Sequence, residues 1–501
     1  MSFHSSDISI STVGPLARAA VVLVIAALVG MVTAKVGNEH GYRIIYYAAV
    51  IGLLMMGGIV TVTRREPLQF AFLALIVCFP IAGITVPPGK FSLTVFDVVM
   101  IALTIWLIGT KAFASSNASE AFFPTTSLRI AWLLFVPSCV FSQFPLSSSL
   151  QAFVDVFAVY AFFLFALIEL KRSGGGARLV LLMSIATIFM AIGIFFEYFT
   201  HVKPSIGSQH INQLQQFGNS TIFRAAGFSS DPQGAGAFLS PMIAFLVVLC
   251  VRGWSTSLKM RVVLWIAIAL GSIALIMTYS RSATLSCVVV IMLVLFLFNT
   301  WNVAVKLMST GIVLLLGLAV LLLPLDMWLS MLPAALAERL YELPDALAGR
   351  YKIWFDTWDM FADHPLTGIG PGSFQPYLEQ TRPGVTNFYG IGSLQGVVYI
   401  PMQAENGYLT ILYESGIAGS IASLLVAGDA LRRTITVIGS RGTLPEARSE
   451  CIAALAGLLT FGATFMTLFT TSDSRVAAIF AFLLAISWHR SLQRTHVVTK
   501  A

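Results

Sequence analysis

The chain has 501 residues, of which 57% are hydrophobic and 11% charged, and its mean hydropathy is +0.85. A soluble domain carries about 25% charged residues, so a soluble globular enzyme is excluded. The net charge of +7 would point to nucleic acid in a soluble protein, but here the basic residues must first be divided between the two sides of a membrane.

Apolar runs recur from end to end, each long enough to cross a hydrocarbon core about 30 Å thick. The first begins near Leu16, behind the polar stretch Ser2 to Ser11, and reaches Val36 without an Ala-x-Ala cleavage site. It reads as a retained span. Further spans are expected near 44–62, 67–86, 93–110, 128–147, 149–170, 178–199, 236–252, 261–279, 283–300, 305–325, 407–428, 450–470 and 475–489. The predicted fold class is therefore all-α, a polytopic transmembrane bundle of about 14 spans. The five cysteines lie in or beside apolar runs with no Cys-x-x-Cys spacing, which argues for small packing residues over disulfides or zinc.

Cytoplasmic loops collect Lys and Arg. With both termini inside, 19 of the 30 Lys and Arg residues fall on the inner side and 11 on the outer. Three regions follow: spans one to eleven with short loops over 1–325, a large outer loop over 326–405, and the last three spans with a cytoplasmic tail over 406–501. The outer loop is too short and too rich in Pro and Gly for an independent core, so it should fold back onto the membrane domain. Within it Tyr351, Trp354, Trp358 and Phe361 share one helical face, while Asp356, Asp359 and Asp363 share the other. This is an amphipathic helix, resting either on the outer membrane interface, where Trp and Tyr are favoured, or on the bundle. His364-Pro365 and the turn Gly368-Ile369-Gly370-Pro371-Gly372 end it. The glycines do not have dinucleotide-loop spacing.

By this topology Arg224, Asp231, Arg281, Arg350, Lys352, Glu405 and Glu414 gather at the outer face. Ionisable groups at a membrane edge are costly unless paired or functional. A guanidinium keeps its charge and offers a planar fork that fits phosphate oxygens, so Arg224 and Arg281 suit a pyrophosphate head group. The alternative for each is snorkelling or pairing with a carboxylate. No Asp-x-Asp stands in an outer loop, and the histidines there have no ligand spacing, so neither metal nor cofactor is expected. Glu414 reads as structural, a partner for an arginine; Asp97 and Asp155 are further acids inside apolar runs.

Three segments together resemble the O-antigen ligase and Wzy-type polysaccharide polymerase superfamily. They are Arg224 to Pro232 with the Ser280-Arg281 turn; Arg350-x-x-x-Trp354 through His364-Pro365-Leu366-x-Gly368-x-Gly370; and Glu405-Asn406-x-Tyr408-Leu409 through Glu414-x-Gly416-x-x-Gly419. The resemblance covers roughly residues 220–430. It implies a transferase of the bacterial inner membrane that takes glycan from undecaprenyl pyrophosphate and passes it, without metal and with inversion, to an acceptor sugar. Arg224 and Arg281 would hold the pyrophosphate and Glu405 would act as base, with Arg350, Trp354 and Asn406 binding substrate. The implied partners are the lipid-linked oligosaccharide, the acceptor glycan, the bilayer, and a chain-length regulator or flippase; nucleic acid is not among them. Ligases carry His-Asn where this chain reads Ala404-Glu405-Asn406. That departure favours polymerisation of exopolysaccharide or O-antigen units over ligation to lipid A core. A carboxylate serves as base where burial raises its pKa; otherwise Glu405 caps the following helix. An anion or solute transporter is the alternative of another class, but it would place its ionisable groups near the midplane on broken helices.

Overall fold

The computed structural model describes residues 67–83, 85–86, 93–109, 125–144, 148–172, 174–204, 214–217, 220–254, 257–298, 354–355, 357–381, 406–440, 443–467 and 473–498. Its longer helices are α1 (Pro67–Val77), α2 (Val95–Gly109), α3 (Thr126–Val140), α4 (Leu150–Leu170), α5 (Gly175–Thr200) and α6 (Pro232–Val251). They continue with α7 (Leu258–Met277), α8 (Arg281–Phe298), α9 (Phe374–Thr381), α10 (Gly407–Gly439), α11 (Pro445–Phe465) and α12 (Ser474–Val498). Two small antiparallel hairpins pair Thr85–Val86 with Leu93–Thr94 and Leu214–Phe217 with Ser220–Phe223. Six of the helices, α4 to α8 and α10, are long and apolar enough to cross a membrane. Ten of the expected spans coincide with described helices, one is corrected below, and those near 16–36, 44–62 and 305–325 lie outside the described residues.

One expected span is corrected. The run 67–86 is apolar throughout, but its helix stops at Val77 and gives way to a 3-10 turn at Phe79–Ile81 and then a hairpin strand. Pro80 and the Pro87-Pro88-Gly89 sequence cannot continue a helix, and hydropathy alone does not register that.

The remaining boundaries follow local chemistry. Thr125, Asp231, Ser257 and Asn406 each cap a helix through a side-chain oxygen, and Pro232 and Pro445 occupy first-turn positions where no backbone N–H is lost. Several hydroxyls within apolar helices are satisfied one turn back: Ser184 donates to the Val180 carbonyl, Thr187 to Met183, Thr434 to Ala430 and Ser487 to Leu483, at 2.7–3.1 Å. This lets polar side chains sit in hydrocarbon without an open donor.

Helix α6 lies at the centre, packed by α5, α7, α8, α11 and α12, while α4 packs on α12 and α3 on α10. A Phe cluster of Phe72, Phe79, Phe96, Phe162 and Phe238 joins α1, α2, α4 and α6, with ring centroids 5.2–6.0 Å apart. Trp265, Ile273 and Ile276 of α7 and Leu285, Val288 and Met292 of α8 stay exposed. Apolar faces of that extent suit lipid rather than water.

The two ends of the bundle differ. At one end, buried acids pair with arginines: Glu169 with Arg178 at 3.1 Å and Glu450 with Arg490 at 2.7 Å across helices, and Asp429 with Arg433 at 3.0 Å one turn along α10. Glu450 also accepts the Trp254 indole N–H at 3.0 Å, so one carboxylate ties α11, α12 and the α6–α7 turn. Glu450→Ala strands both donors and should cost about 3–5 kcal/mol, the range for removing one partner of a buried pair. The check is the unfolding midpoint in detergent, which should fall clearly; an unchanged midpoint would deny the pair its role.

Candidate active site

The opposite end gathers the Arg224 segment, the α7–α8 turn and the turn before α12. Residues 224–231 are held from several sides. The Glu197 carboxylate, in the last turns of α5, accepts the backbone N–H groups of Ala226 at 2.7 Å and Gly227 at 2.5 Å. The Arg475 guanidinium donates to the Phe228 carbonyl at 3.2 Å and to Ser229 Oγ at 3.4 Å. It also donates to the Pro80 carbonyl and pairs with Asp473 at 2.6 Å. Lys203 Nζ donates to the Ser230 carbonyl at 2.8 Å. Asp231 ends the segment by capping α6, its Oδ1 accepting the Gly234 N–H at 2.7 Å.

The front of the segment meets the α7–α8 turn. Ala225 N–H donates to the Met277 carbonyl and Arg224 Nε to the Thr278 carbonyl, both at 3.3 Å. Arg281 is exposed and opens α8 three residues later. Between them Tyr279 has φ 51°, a left-handed conformation that is uncommon for an aromatic residue and concentrates at functional turns. Arg224 is thus bonded to the turn that leads into Arg281 at one end of the bundle. Each has protein neighbours, so both are positioned as well as charged.

The large loop does fold back onto the bundle where it is described. Its helical stretch buries Thr357 and Met360, while Phe355 is 72% and Trp358 54% exposed. The face against the protein is therefore rotated from the Trp354–Trp358 stripe, and Trp354 is half-buried with partners. Beyond it, the sequence from Pro365 to Gly372 pairs with α10. Helix α10 is broken at Gly416, with φ 62° and ψ −164°. Ile369 N–H donates to the Tyr413 carbonyl at 3.0 Å and Gly370 N–H to Glu414 at 2.8 Å; in return Ile417 and Ala418 donate to Pro365 at 2.9 Å and Leu366 at 3.2 Å. Gly368 and Gly416 pass so closely that a Cβ on either would collide with the other's strand. Ser142 and Ser149 fasten the other side, donating to the Ile369 and Pro371 carbonyls at 3.3 and 3.1 Å.

One sequence expectation changes here. Among the described residues no arginine partners Glu414: its buried carboxylate accepts the backbone N–H groups of Gly372 and Phe374. Asn406, expected to bind substrate, caps α10, its Oδ1 accepting Tyr408 and Leu409 N–H at 3.1 Å. Glu405 and Arg350 lie outside the described residues. Sequence reasoning passed over Glu197, Lys203, Asp473 and Arg475. The one available signal was a lone Arg475 just inside an apolar run on the outer side. Asp97 and Asp155 meet by hydrogen bond between α2 and α4, within electrostatic reach of Asp473. Among the described residues no three His, Cys, Asp or Glu side chains form a metal-holding group.

Burial opposes ionisation of Asp473, but the adjoining Arg475 and the N–H groups of Arg475 and Val476 outweigh it and hold the carboxyl below the usual range. Burial also lowers the Lys203 ammonium, against the pull of Glu197 and Asp231. A depressed carboxyl contributes stability that is complete above the unfolded value, about 3.9, and is lost as pH falls through the folded one. Asp473→Asn should therefore flatten the acid limb of the stability curve below about pH 4. An unaltered limb in acid titration of the purified protein would count against the pair.

No curated protein matches the chain. A family model does: residues 266–424 match Wzy_C, described as O-Antigen ligase. The matched segment includes the Ser280-Arg281 turn, the docked Pro365–Gly372 segment and the first part of α10 with its break at Gly416, and excludes the Arg224 segment. The chain is a multi-pass membrane protein, and this match supports its membership of the O-antigen ligase and Wzy-type superfamily.

Proposed function

We propose that the protein is an inner-membrane glycosyltransferase that moves glycan from undecaprenyl pyrophosphate to an acceptor sugar hydroxyl, polymerising exopolysaccharide or O-antigen repeat units. The observation that carries this reading is the joining of Arg224 and Arg281 on one turn through the Arg224–Thr278 hydrogen bond. In the reaction the bond from the anomeric carbon to the pyrophosphate oxygen breaks, and its electron pair leaves with the pyrophosphate. A new bond forms to the acceptor oxygen, whose proton must be taken. Arginines aimed at the leaving group stabilise charge that develops only in the transition state.

Glu405 is the candidate base. It stands two residues before the helix whose break receives the large loop. The absence of the His-Asn pair is the ground for polymerase over ligase, with ligation to lipid A core as the competing acceptor chemistry. A solute transporter would leave its broken helix open to substrate. Here the described loop fills the break in α10.

The test uses the purified protein, a synthetic undecaprenyl-pyrophosphate repeat unit, no added metal, and mass spectrometry for dimerised glycan. Arg281→Ala should lower turnover about 100- to 1,000-fold, the effect of losing one transition-state donor, with the unfolding midpoint unchanged. Glu405→Gln should lose activity to a similar degree, because the amide has no basicity. Transfer only to lipid A core would select ligase; a wild-type protein that leaves the donor intact would overturn the transferase reading.

A further inference from the structure

We infer that Glu197 and Arg475 are positioning residues that set where Arg224 stands relative to Arg281. This rests on the reading of Arg224 as a pyrophosphate ligand. The buried acids at the opposite end, Glu169, Asp429 and Glu450, bond arginine side chains and staple the bundle. Glu197, fully buried, binds main-chain N–H groups of one loop, and Arg475, 4% exposed, binds that loop's next carbonyl and hydroxyl. Placing a carboxylate in a dry interior costs several kcal/mol unless its hydrogen bonds are met. Here those bonds fix a backbone path.

Gly227 makes the approach feasible. Its φ is +59°, and a Cβ there would fall 2.8 Å from the Ile194 side chain, so the loop lies flat on the helix that carries Glu197. With Ala226 to Ser229 fixed from below, the preceding residues are directed to the α7–α8 turn, where Ala225 and Arg224 bond the Met277 and Thr278 carbonyls. Removing the Glu197 carboxylate frees two N–H groups, two and three residues beyond Arg224. Misplacement of a reacting group by about 1 Å costs on the order of 100-fold.

Two measurements test this on the full chain in detergent. The first is amide hydrogen exchange over residues 224–231. Glu197→Ala should accelerate exchange at Ala226 and Gly227, Glu197→Gln should largely restore protection through its amide oxygen, and Glu450→Ala should leave this segment as it was. The second is a double-mutant cycle on turnover of the lipid-linked donor. Glu197→Ala should lower turnover roughly 10- to 100-fold in the native background, with the acceptor KM unchanged. In an Arg224→Lys background the further loss should be under about 3-fold, because residues acting as one unit are not additive. Unchanged exchange at Ala226 and Gly227 overturns the positioning role whether or not transfer occurs, and equal losses in both backgrounds overturn its action through Arg224. A native protein that leaves the donor intact counts against the transferase reading alone, since the exchange experiment does not depend on it.

Discussion

Inside hydrocarbon a backbone N–H or C=O has no water to bind, and each one left open costs several kcal/mol. The break at Gly416 in α10 would create such groups in the middle of an apolar helix. They are met by the loop: Ile369 and Gly370 donate into the upstream half of the break, and the Pro365 and Leu366 carbonyls accept from the downstream half. The loop is therefore a structural part of the helix rather than an appendage of it. Glu414 extends the same logic, its carboxylate receiving Gly372 and Phe374 N–H, and Ser142 and Ser149 carry the arrangement to the α3–α4 connection.

That constraint explains why the two ends of the bundle use charge differently. At one end the helices stop in turns with short reach, and side-chain pairs such as Glu450–Arg490 and Glu169–Arg178 hold them together. At the other, irregular segments lie over the bundle, and their main-chain groups need partners. Glu197 and Arg475 supply these to residues 226–229. Charged side chains that bind backbone can hold a loop whose side chains remain available for chemistry, and the proposed pyrophosphate ligand Arg224 leaves just such a loop.

An arrangement of this kind also separates the candidate site into two supports. One is the Arg224 segment with the Thr278–Arg281 turn, carried by α5, α6, α7 and α12. The other is the Pro365–Gly372 segment joined to α10, which begins two residues after Glu405. In a displacement at a sugar carbon, the leaving pyrophosphate and the attacking hydroxyl stand on opposite sides of that carbon. Two supports carrying unlike chemistry fit a donor held on one and an acceptor activated on the other.

Much of the fold was legible because hydropathy and helix caps are local properties. The apolar runs at 149–170, 178–199, 236–252 and 261–279 match α4 to α7 within a few residues, and Asp231-Pro232 opens α6 as an N-cap with a following proline should. The run 67–86 was misread because apolar content is insensitive to Pro80 and the hairpin beyond it. Of the site, Arg224 and Arg281 could be proposed because charge is conspicuous in an apolar sequence. Glu197, Arg475 and the true partners of Glu414 could not, since each acts on backbone far away in the chain: 246–247 residues separate Arg475 from Ser229 and Phe228. The sequence by itself determined a helical membrane protein with basic residues poised at its loops, because burial in lipid and capping depend on neighbouring residues. Only the tertiary structure decided which charges are staples, which hold a loop and which stand at the candidate site, because a buried charge takes its role from the donors and acceptors that distant helices bring to it.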